Sequence, residues 1–238
     1  RLGDRELKTM EVQLGPYAFA AQFMQNPVPL GGGMFLEHYF VKRVKVAPYD
    51  CRRIRFWDRA ATLGGGAATA GVLLAKGPDG TYYVEHCEHG HWDPKLRNEK
   101  MRATAQRDRS RYGPKHEPAI WVEREGGSVG RDAWLQIAKD LEGFNVREAT
   151  VTGDKDTRAE PWSAACASGI VQIVEDGTWD VLAYIDEHIR FRPDPSSGQK
   201  RGKLKDRIDA SSGAYNLHAG AKAAGTLRVY SGKGKKVP

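Results

Sequence analysis

The most informative segment of this 238-residue sequence is Ile120-Trp121-Val122-Glu123-Arg124-Glu125-Gly126-Gly127-Ser128-Val129-Gly130. An apolar run typical of a buried strand ends here in the carboxylate of Glu123. A glycine-rich turn follows, and a helical pattern begins at Arg131. Proteins of the α/β class often build a site where a strand ends beside a tight turn. The segment therefore predicts an acidic site at the carboxyl end of a strand.

The regions on either side predict a mixed sheet. Arg52–Asp58 alternates in the manner of a strand and ends in a second carboxylate. Residues 69–75 and 81–87, joined by a turn at Pro78-Asp79-Gly80, predict an antiparallel hairpin. Strands at 145–151 and 170–174 alternate with helices at 94–112, 132–141, 156–168, 179–191 and 204–218. This order predicts an α/β fold whose first three strands are antiparallel and whose later βα units are parallel, with helices on both faces.

The chain divides into three regions by composition. Residues 1–50 predict a connector: a short helix at 17–24, a proline break, a Gly31-Gly32-Gly33 run and an extended segment at 41–46. Residues 51–220 predict the globular domain, with 26 basic and 25 acidic side chains. Residues 221–238 carry five basic and no acidic side chains and predict a flexible basic tail. The net charge of +7 therefore says little about nucleic-acid binding by the core.

Several classes of protein do not fit this sequence. It contains no run of about 18 apolar residues, so it predicts no membrane span and no membrane partner. Cys51, Cys87 and Cys166 are widely spaced and form no CxxC motif. This pattern is neither a disulfide framework nor a zinc site, and it fits a reducing cytoplasm. No GxxxxGK[ST] motif is present, so no phosphate loop for ATP is predicted.

The helix predicted at 94–112 carries a dense run of positive charge. Its basic side chains are Lys95, Arg97, Lys100, Arg102, Arg107, Arg109 and Arg111. Such a run indicates either a solvated helix face or one that contacts DNA.

Four acids are candidates for a metal site. Asp58 and Glu123 end strands, whereas Asp206 and Asp209 lie three residues apart on the last helix and so share a face. Hard cations such as Mg²⁺ take oxygen ligands. Two such ions about 4 Å apart can activate a water and stabilise the leaving oxygen of a phosphodiester. Each acid could instead pair with a neighbouring arginine or face solvent, and residue types alone leave both readings open.

Five motifs, in order along the chain, resemble the large terminase subunits of tailed bacteriophages and prophages. Residues 17–27 are similar to the proline-ended connector of those proteins, and residues 57–62 to their first acidic strand. Residues 123–131 resemble the E-x-E-P-G-S-x-G-K segment, and residues 153–159 the G-D-K-x-x-R-A helix start. Residues 205–210 with Ala214-Tyr215 resemble the D-D-x-x-D-A…A-Y ending. The resemblance spans about residues 15 to 218.

The resemblance implies an RNase H-like nuclease domain that cuts concatemeric double-stranded phage DNA during packaging with two divalent ions, Mg²⁺ or Mn²⁺. It implies that Asp58, Glu123 and Asp206 are catalytic metal ligands and that Asp209 is a ligand or lies just behind one; Glu125 is an alternative ligand. Lys155 and Arg158, near a predicted helix N-terminus, could contact the DNA backbone or belong to an ordinary exposed first turn, and Lys205 is a third candidate for a DNA contact.

The resemblance also implies an assembly around this domain. Residues 1–50 would lead from an ATPase domain that this sequence lacks. The expected partners are the terminase small subunit, the portal protein and other large-subunit copies. The expected location is the procapsid portal in the cytoplasm of the bacterial host.

Two residues depart from the family pattern. Gly126 replaces a proline, and Lys205 replaces the first of two adjacent aspartates. Three explanations for Lys205 stay open: Asp209 compensates, one metal is held weakly, or the lysine stabilises phosphate charge. A disabled site would instead make the domain a DNA-docking or portal-docking module of the packaging motor. A third class, an RNase H-like enzyme acting on a Holliday junction or hybrid, predicts structure-selective cutting.

Overall fold

The computed structural model describes residues 3–23, 33–59, 68–124, 127–150, 155–192 and 205–220. The helices are α1 (Asp4–Phe23), α2 (Pro94–His116), α3 (Gly127–Asp140), α4 (Lys155–Ala167), α5 (Val181–Arg190) and α6 (Asp206–His218), with a short 3-10 helix at Glu37–Phe40. The strands are β1 (Arg43–Val44), β2 (Arg52–Asp58), β3 (Thr69–Lys76), β4 (Tyr82–Gly90), β5 (Ala119–Arg124), β6 (Val146–Thr150) and β7 (Val171–Val174). None of the helices in these ranges combines the length and apolar character needed to cross a bilayer.

The described strands form one sheet in the order β1-β7-β4-β3-β2-β5-β6. β3 pairs antiparallel with both β2 and β4, and every other neighbouring pair is parallel. The mixed sheet predicted from the sequence is thereby confirmed. Because β2 and β5 run parallel, their carboxyl ends, where Asp58 and Glu123 lie, meet at the same edge of the sheet.

Two apolar cores cover the two faces of the sheet. On one face, Phe56 of β2 packs with Trp162 of α4, Tyr184 of α5 and Ile208 of α6. On the other face, Trp57 packs with side chains of α2 and α3. Consecutive strand residues point to opposite faces, which explains why neighbours in β2 belong to different cores. The helices therefore flank the sheet on both faces, as predicted.

Several element boundaries differ from those predicted. α1 begins at Asp4 rather than at 17, and Gly15, with φ of 78°, kinks it before Pro16. α3 begins at Gly127, so the predicted glycine-rich turn does not extend to Gly130. α2 continues to His116 and, like α1, is kinked at a glycine, Gly113. The predicted features at residues 24–32, Gly64-Gly65-Gly66, Glu125, Gly126, Gly153-Asp154 and the tail at 221–238 lie outside the described residues.

The positive charges of α2 are largely used within the protein. Arg107 bonds to the imidazole of His86 on β4, and Arg111 pairs with Asp176 at 2.9 Å. Asp108 of the same helix pairs with the buried Arg55 of β2 at 2.8 Å. These contacts fasten α2 to the sheet. Neither of the two readings of the sequence, a solvated face or a DNA-contacting one, included this structural use.

The three cysteines are buried and unbridged, as their spacing predicts. Burial raises the pKa of Cys51 to about 11 and that of Cys87 to about 12. A thiol is nucleophilic only as a thiolate. These two side chains are therefore inert packing groups at neutral pH.

Helix α6 lies unusually close to the centre of the sheet. A Cβ atom added at Gly213 would stand 2.4 Å from the ring of Phe56, far inside contact distance. Glycine at this position lets the helix backbone reach the aromatic ring. The contact sets how deeply α6, which carries Asp206 and Asp209 in its first turn, sits against β2.

Gly213→Ala should destabilise the protein. In an exposed helix interior this change usually stabilises by about 1 kcal/mol. Here the methyl group must displace Phe56, so we expect the free energy of unfolding to fall by about 1–3 kcal/mol. Urea denaturation would measure the change. Gly3→Ala, where the nearest atom is 3.8 Å away, is the matched control and should be nearly neutral.

His188 of α5 joins the segment that precedes β1 to the main core. Its ring meets Phe35 edge-on at 4.9 Å and Phe40 at 5.3 Å between centroids. Its Nε2 accepts a hydrogen bond from Trp162 Nε1 at 3.2 Å, and Nδ1 lies 2.8 Å from the carbonyl oxygen of Tyr184. Burial lowers the pKa of His188 to about 3. The ring is therefore neutral in the folded protein at physiological pH.

This neutral histidine should make folding acid-sensitive. The pKa of His188 in the folded protein lies below the unfolded value of about 6.5. Its contribution to the free energy of unfolding is therefore complete above pH 6.5 and is lost as the pH falls towards 3. Between pH 7.5 and pH 5 the loss from this group is roughly 2 kcal/mol. Unfolding free energies at both pH values should therefore differ less in His188→Gln than in wild type. Equal differences in the two proteins would contradict the assignment.

Candidate active site

Two carboxylates lie at neighbouring strand ends. Trp57 of β2 pairs in register with Val122 of β5, so Asp58 and Glu123 each follow at the next position. Adjacent strands are about 5 Å apart. Asp58 shares its face of the sheet with Phe56, and Glu123 shares its face with Trp121, and both aromatic rings belong to the α4–α6 core. The two acids therefore lie side by side on the face that α6 covers.

The first turn of α6 brings two further acids to this end of the sheet. Asp206 Oδ2 accepts a hydrogen bond from the backbone amide of Ala68, which directly precedes β3, at 3.0 Å. Ala70 of the same strand pairs in register with Asp58. Asp206 and Asp209 are both buried, at 7% and 5% exposure. A helix N-terminus favours negative charge, so both acids suit this position electrostatically.

Glu187 of α5 fixes that first turn. Lys205 stands at the cap position and makes no side-chain cap bond. The buried Glu187 takes over part of this role: Oε1 accepts from the backbone amide of Arg207 at 2.7 Å, and Oε2 accepts from its guanidinium at 2.6 Å. Burial raises the pKa of Glu187 in spite of the nearby arginine. In the sequence, Glu187 lies within an ordinary helical pattern, which does not indicate that it holds the first turn of α6.

The cation nearest to Glu123 is not one of its neighbours in the sequence. Glu123 Oε1 lies 3.7 Å from Arg158 Nη1 of α4, whereas Arg124 pairs with Glu148. Arg59 donates from Nε to the backbone oxygen of Glu123 at 3.0 Å. Arg158 is thus held next to the acid. Lys155 opens α4, but its side chain lies outside the described part of the structure.

His89 is a neighbour of the acids that the sequence reading missed. The predicted strand ended at Cys87, whereas β4 continues to Gly90. His89 pairs in register with Ala70, the cross-strand partner of Asp58. Its Nε2 lies 4.0 Å from Asp206 Oδ2. Burial, followed by the charges of Arg207 and His91, lowers the pKa of His89 to about 4.

The donor set fits a hard divalent cation in kind. Carboxylate oxygens are the ligands such ions prefer. Glu123 Oε2 is buried and meets no hydrogen-bond partner among the described residues, so it keeps lone pairs for a ligand. The groups are not closed around one point, however: among the described residues, no three His, Cys, Asp or Glu side chains are arranged to hold an ion. Asp206 and Glu123 each direct one oxygen to a protein group instead.

Comparison with solved structures supports the fold. The human cytomegalovirus terminase nuclease domain aligns with a TM-score of 0.57 at 11% identity, covering 78% of this chain and 97% of that one. Its Mn-soaked form aligns with a TM-score of 0.55 at 14% identity, covering 76% and 91%. The large terminase nuclease from thermophilic phage G20c, with bound zinc, is less similar: TM-score 0.46, 16% identity, and 73% and 85% coverage.

Comparison of sequences gives the family. A search of curated proteins found no match. The family model described as "Terminase RNaseH-like domain" matches residues 55–218, from within β2 to the end of α6. This range is more than half of the chain. The protein therefore belongs to the terminase RNase H-like domain family.

Proposed function

We propose that this protein is a divalent-metal-dependent endodeoxyribonuclease that cuts concatemeric phage DNA during genome packaging. The observation that carries the proposal is that the carboxyl ends of β2 and β5 and the first turn of α6 bring Asp58, Glu123, Asp206 and Asp209 to the same end of the sheet. The similar nuclease domain of human cytomegalovirus was solved after a manganese soak, which supports metal use in this fold.

In this proposal the catalytic ligands are Asp58, Glu123 and Asp206. Asp209, one helical turn after Asp206 and also buried, is a fourth ligand or holds the others in place. These carboxylates would hold Mg²⁺ or Mn²⁺, which would provide an activated water and neutralise charge on the leaving oxygen of the phosphodiester. The protein must orient these carboxylates, and the bonds that fix the ends of β3 and α6 do this for Asp206.

Two cations near the acids are proposed to hold DNA. Arg158 keeps 17% of its side chain exposed, and its Nη1 lies 3.7 Å from Glu123 Oε1, so its guanidinium stands beside the acids that a phosphate would approach. Lys205 precedes α6 directly and can stabilise phosphate charge beside Asp206. We extend the proposal to Lys155, since it opens the helix that carries Arg158. Contacts of this kind read no bases, so cutting should be largely independent of sequence.

The proposed setting is the packaging motor at the procapsid portal, in the cytoplasm of the bacterial host. Its partners there would be the small terminase subunit, the portal protein and other large-subunit copies. Residues 1–50 would connect the nuclease to an ATPase domain, and residues 221–238 would form a basic tail.

Plasmid cleavage tests the proposed activity. The chain should nick and linearise DNA with Mg²⁺ or Mn²⁺ and stop when EDTA is added. Asp58→Asn should lower the rate by at least about 100-fold. Loss of a residue that only supports a metal ligand typically lowers activity by about 10- to 100-fold, and loss of a ligand should cost at least as much. Asp132→Asn, on the exposed surface of α3, is the matched control and should cleave normally.

Full activity of Asp58→Asn would overturn the assignment of ligands. An inactive wild-type protein that still binds DNA would favour the alternative, a weakened DNA-docking or portal-docking module. The specific observations behind that alternative are Lys205 at the start of α6 and the open arrangement of the acids among the described residues.

The phosphate contact of Arg158 can be measured through salt dependence. Arg158→Ala should weaken DNA binding at low salt, and the slope of log K against log salt should become shallower by about one unit. Arg190→Ala removes an arginine that pairs with Asp186 on α5, and it should leave the slope unchanged. Filter binding between 50 and 200 mM salt suits this comparison. An unaltered slope in Arg158→Ala would exclude the contact.

A further inference from the structure

A β-bulge in β4 determines which of its side chains face α6. Leu74 of β3 pairs with Val84, but the adjacent Leu73 pairs with His86, so Glu85 is an inserted residue. Glu85 and His86 both face α2, where they meet Arg53 and Arg55. One extra residue reverses the alternation of everything that follows it. His89, two positions after Cys87 of the α4–α6 core, therefore lies on the same face as the acids.

The position of His89 is defined by contacts on two sides. Asp58, Ala70 and His89 form a cross-strand row on β2, β3 and β4. The Oδ2 atom of Asp206 that lies 4.0 Å from His89 Nε2 is also the atom that accepts from the Ala68 amide. His89 is partly buried, with 20% of its side chain exposed. The ring is thus held at the edge of the acidic cluster rather than extended into solvent.

This separation suits two ligands of one ion. Nitrogen and oxygen ligands at about 2.0–2.2 Å from a metal lie roughly 3 to 4 Å from each other, depending on the angle between them. A weak polar contact between imidazole and carboxylate would instead be a purely structural role. The two possibilities differ in a way that spectroscopy can measure, because a ligand nitrogen couples magnetically to a bound paramagnetic ion.

Building on the metal-dependent cleavage proposed above, we propose that His89 is a nitrogen ligand of the metal that Asp206 holds. The mixed donor set gives the site a preference for Mn²⁺ over Mg²⁺. Mg²⁺ takes oxygen ligands and keeps its waters, whereas imidazole suits transition metals. The acids alone would provide a site made only of oxygen. His89 thus determines which divalent cation the site prefers.

Electron spin-echo measurements on Mn²⁺ bound to the full chain test this directly. Wild-type protein with ¹⁵N only in histidine should show nuclear modulation that differs from that of the unlabelled protein. This measurement needs no substitution, so it does not depend on how well a variant folds. In His89→Gln the histidine modulation should disappear. In His91→Gln it should persist, since the ring centroid of His91 lies 6.3 Å from that of His89 and only His89 is placed within 4.0 Å of Asp206.

Metal affinity provides the second readout. His89→Gln should weaken Mn²⁺ binding about tenfold or more, as expected for loss of a group at a metal site. Competition with Mg²⁺ should show that Mg²⁺ affinity changes far less. Both titrations use the metal alone and require no DNA cleavage.

The outcomes separate this inference from the proposed function. Mn²⁺ that binds and is lost in Asp206→Asn, but shows no histidine modulation, would overturn the role of His89 and leave the carboxylate site standing. Modulation that survives in His89→Gln and disappears in His91→Gln would show that His91 is the ligand. This result would also overturn the role of His89. Absence of Mn²⁺ binding in wild type would overturn both proposals.

Discussion

The carboxylate of Glu187 is the contact on which the arrangement of the acids depends most. It reaches from α5 to the beginning of α6 and binds both the backbone amide and the guanidinium of Arg207. The first backbone amides of a helix have no partner within the helix, and Lys205 provides no cap. A buried carboxylate in this place holds the turn that carries Asp206 and Asp209. The position of those two acids therefore depends on a residue that belongs to neither strand of the site.

A second constraint acts further along α6. Gly213 allows the helix to touch the ring of Phe56, and Phe56 lies two residues before Asp58 on β2. Glu187 fixes the beginning of the helix, and Gly213 fixes its distance from the sheet. Acids that are separated by more than 140 positions in the chain are aligned by these contacts. Neither contact involves the acids themselves.

The sequence predicted the strands and the acids well because both depend on local patterns. The bounds of β2 were predicted to the residue, and β5 ends at Arg124, one residue after the predicted end at Glu123. Pairing partners were predicted less well, because charge patterns do not specify distances. Glu123 faces Arg158, which is 35 positions away, whereas the neighbouring Arg124 pairs with Glu148. Arg55, which lies three residues before Asp58 in the sequence, is held by Asp108 on the opposite face of the sheet.

The features that the sequence did not reveal arise from tertiary pairing. α3 begins at Gly127 inside what reads as a turn, and α1 begins well before its apolar stripe. His89 was missed because β4 runs past the predicted end at Cys87 and because Glu85 has no cross-strand partner in the register. A bulge requires knowledge of the neighbouring strand, which a single chain does not display. The spacing of residues within β4 gives no sign of it.

The inserted residue in β4 has a consequence for comparing this protein with its relatives. Before and after a bulge, a strand directs opposite members of its odd–even alternation towards a given face of the sheet. In a relative without the insertion, the residues after the position of Val84 would be shifted by one relative to β4. An alignment drawn without a gap at Glu85 would then set His89 against a residue of the opposite face. Homologous positions around this end of the sheet are better matched by superposing backbones than by an ungapped sequence alignment.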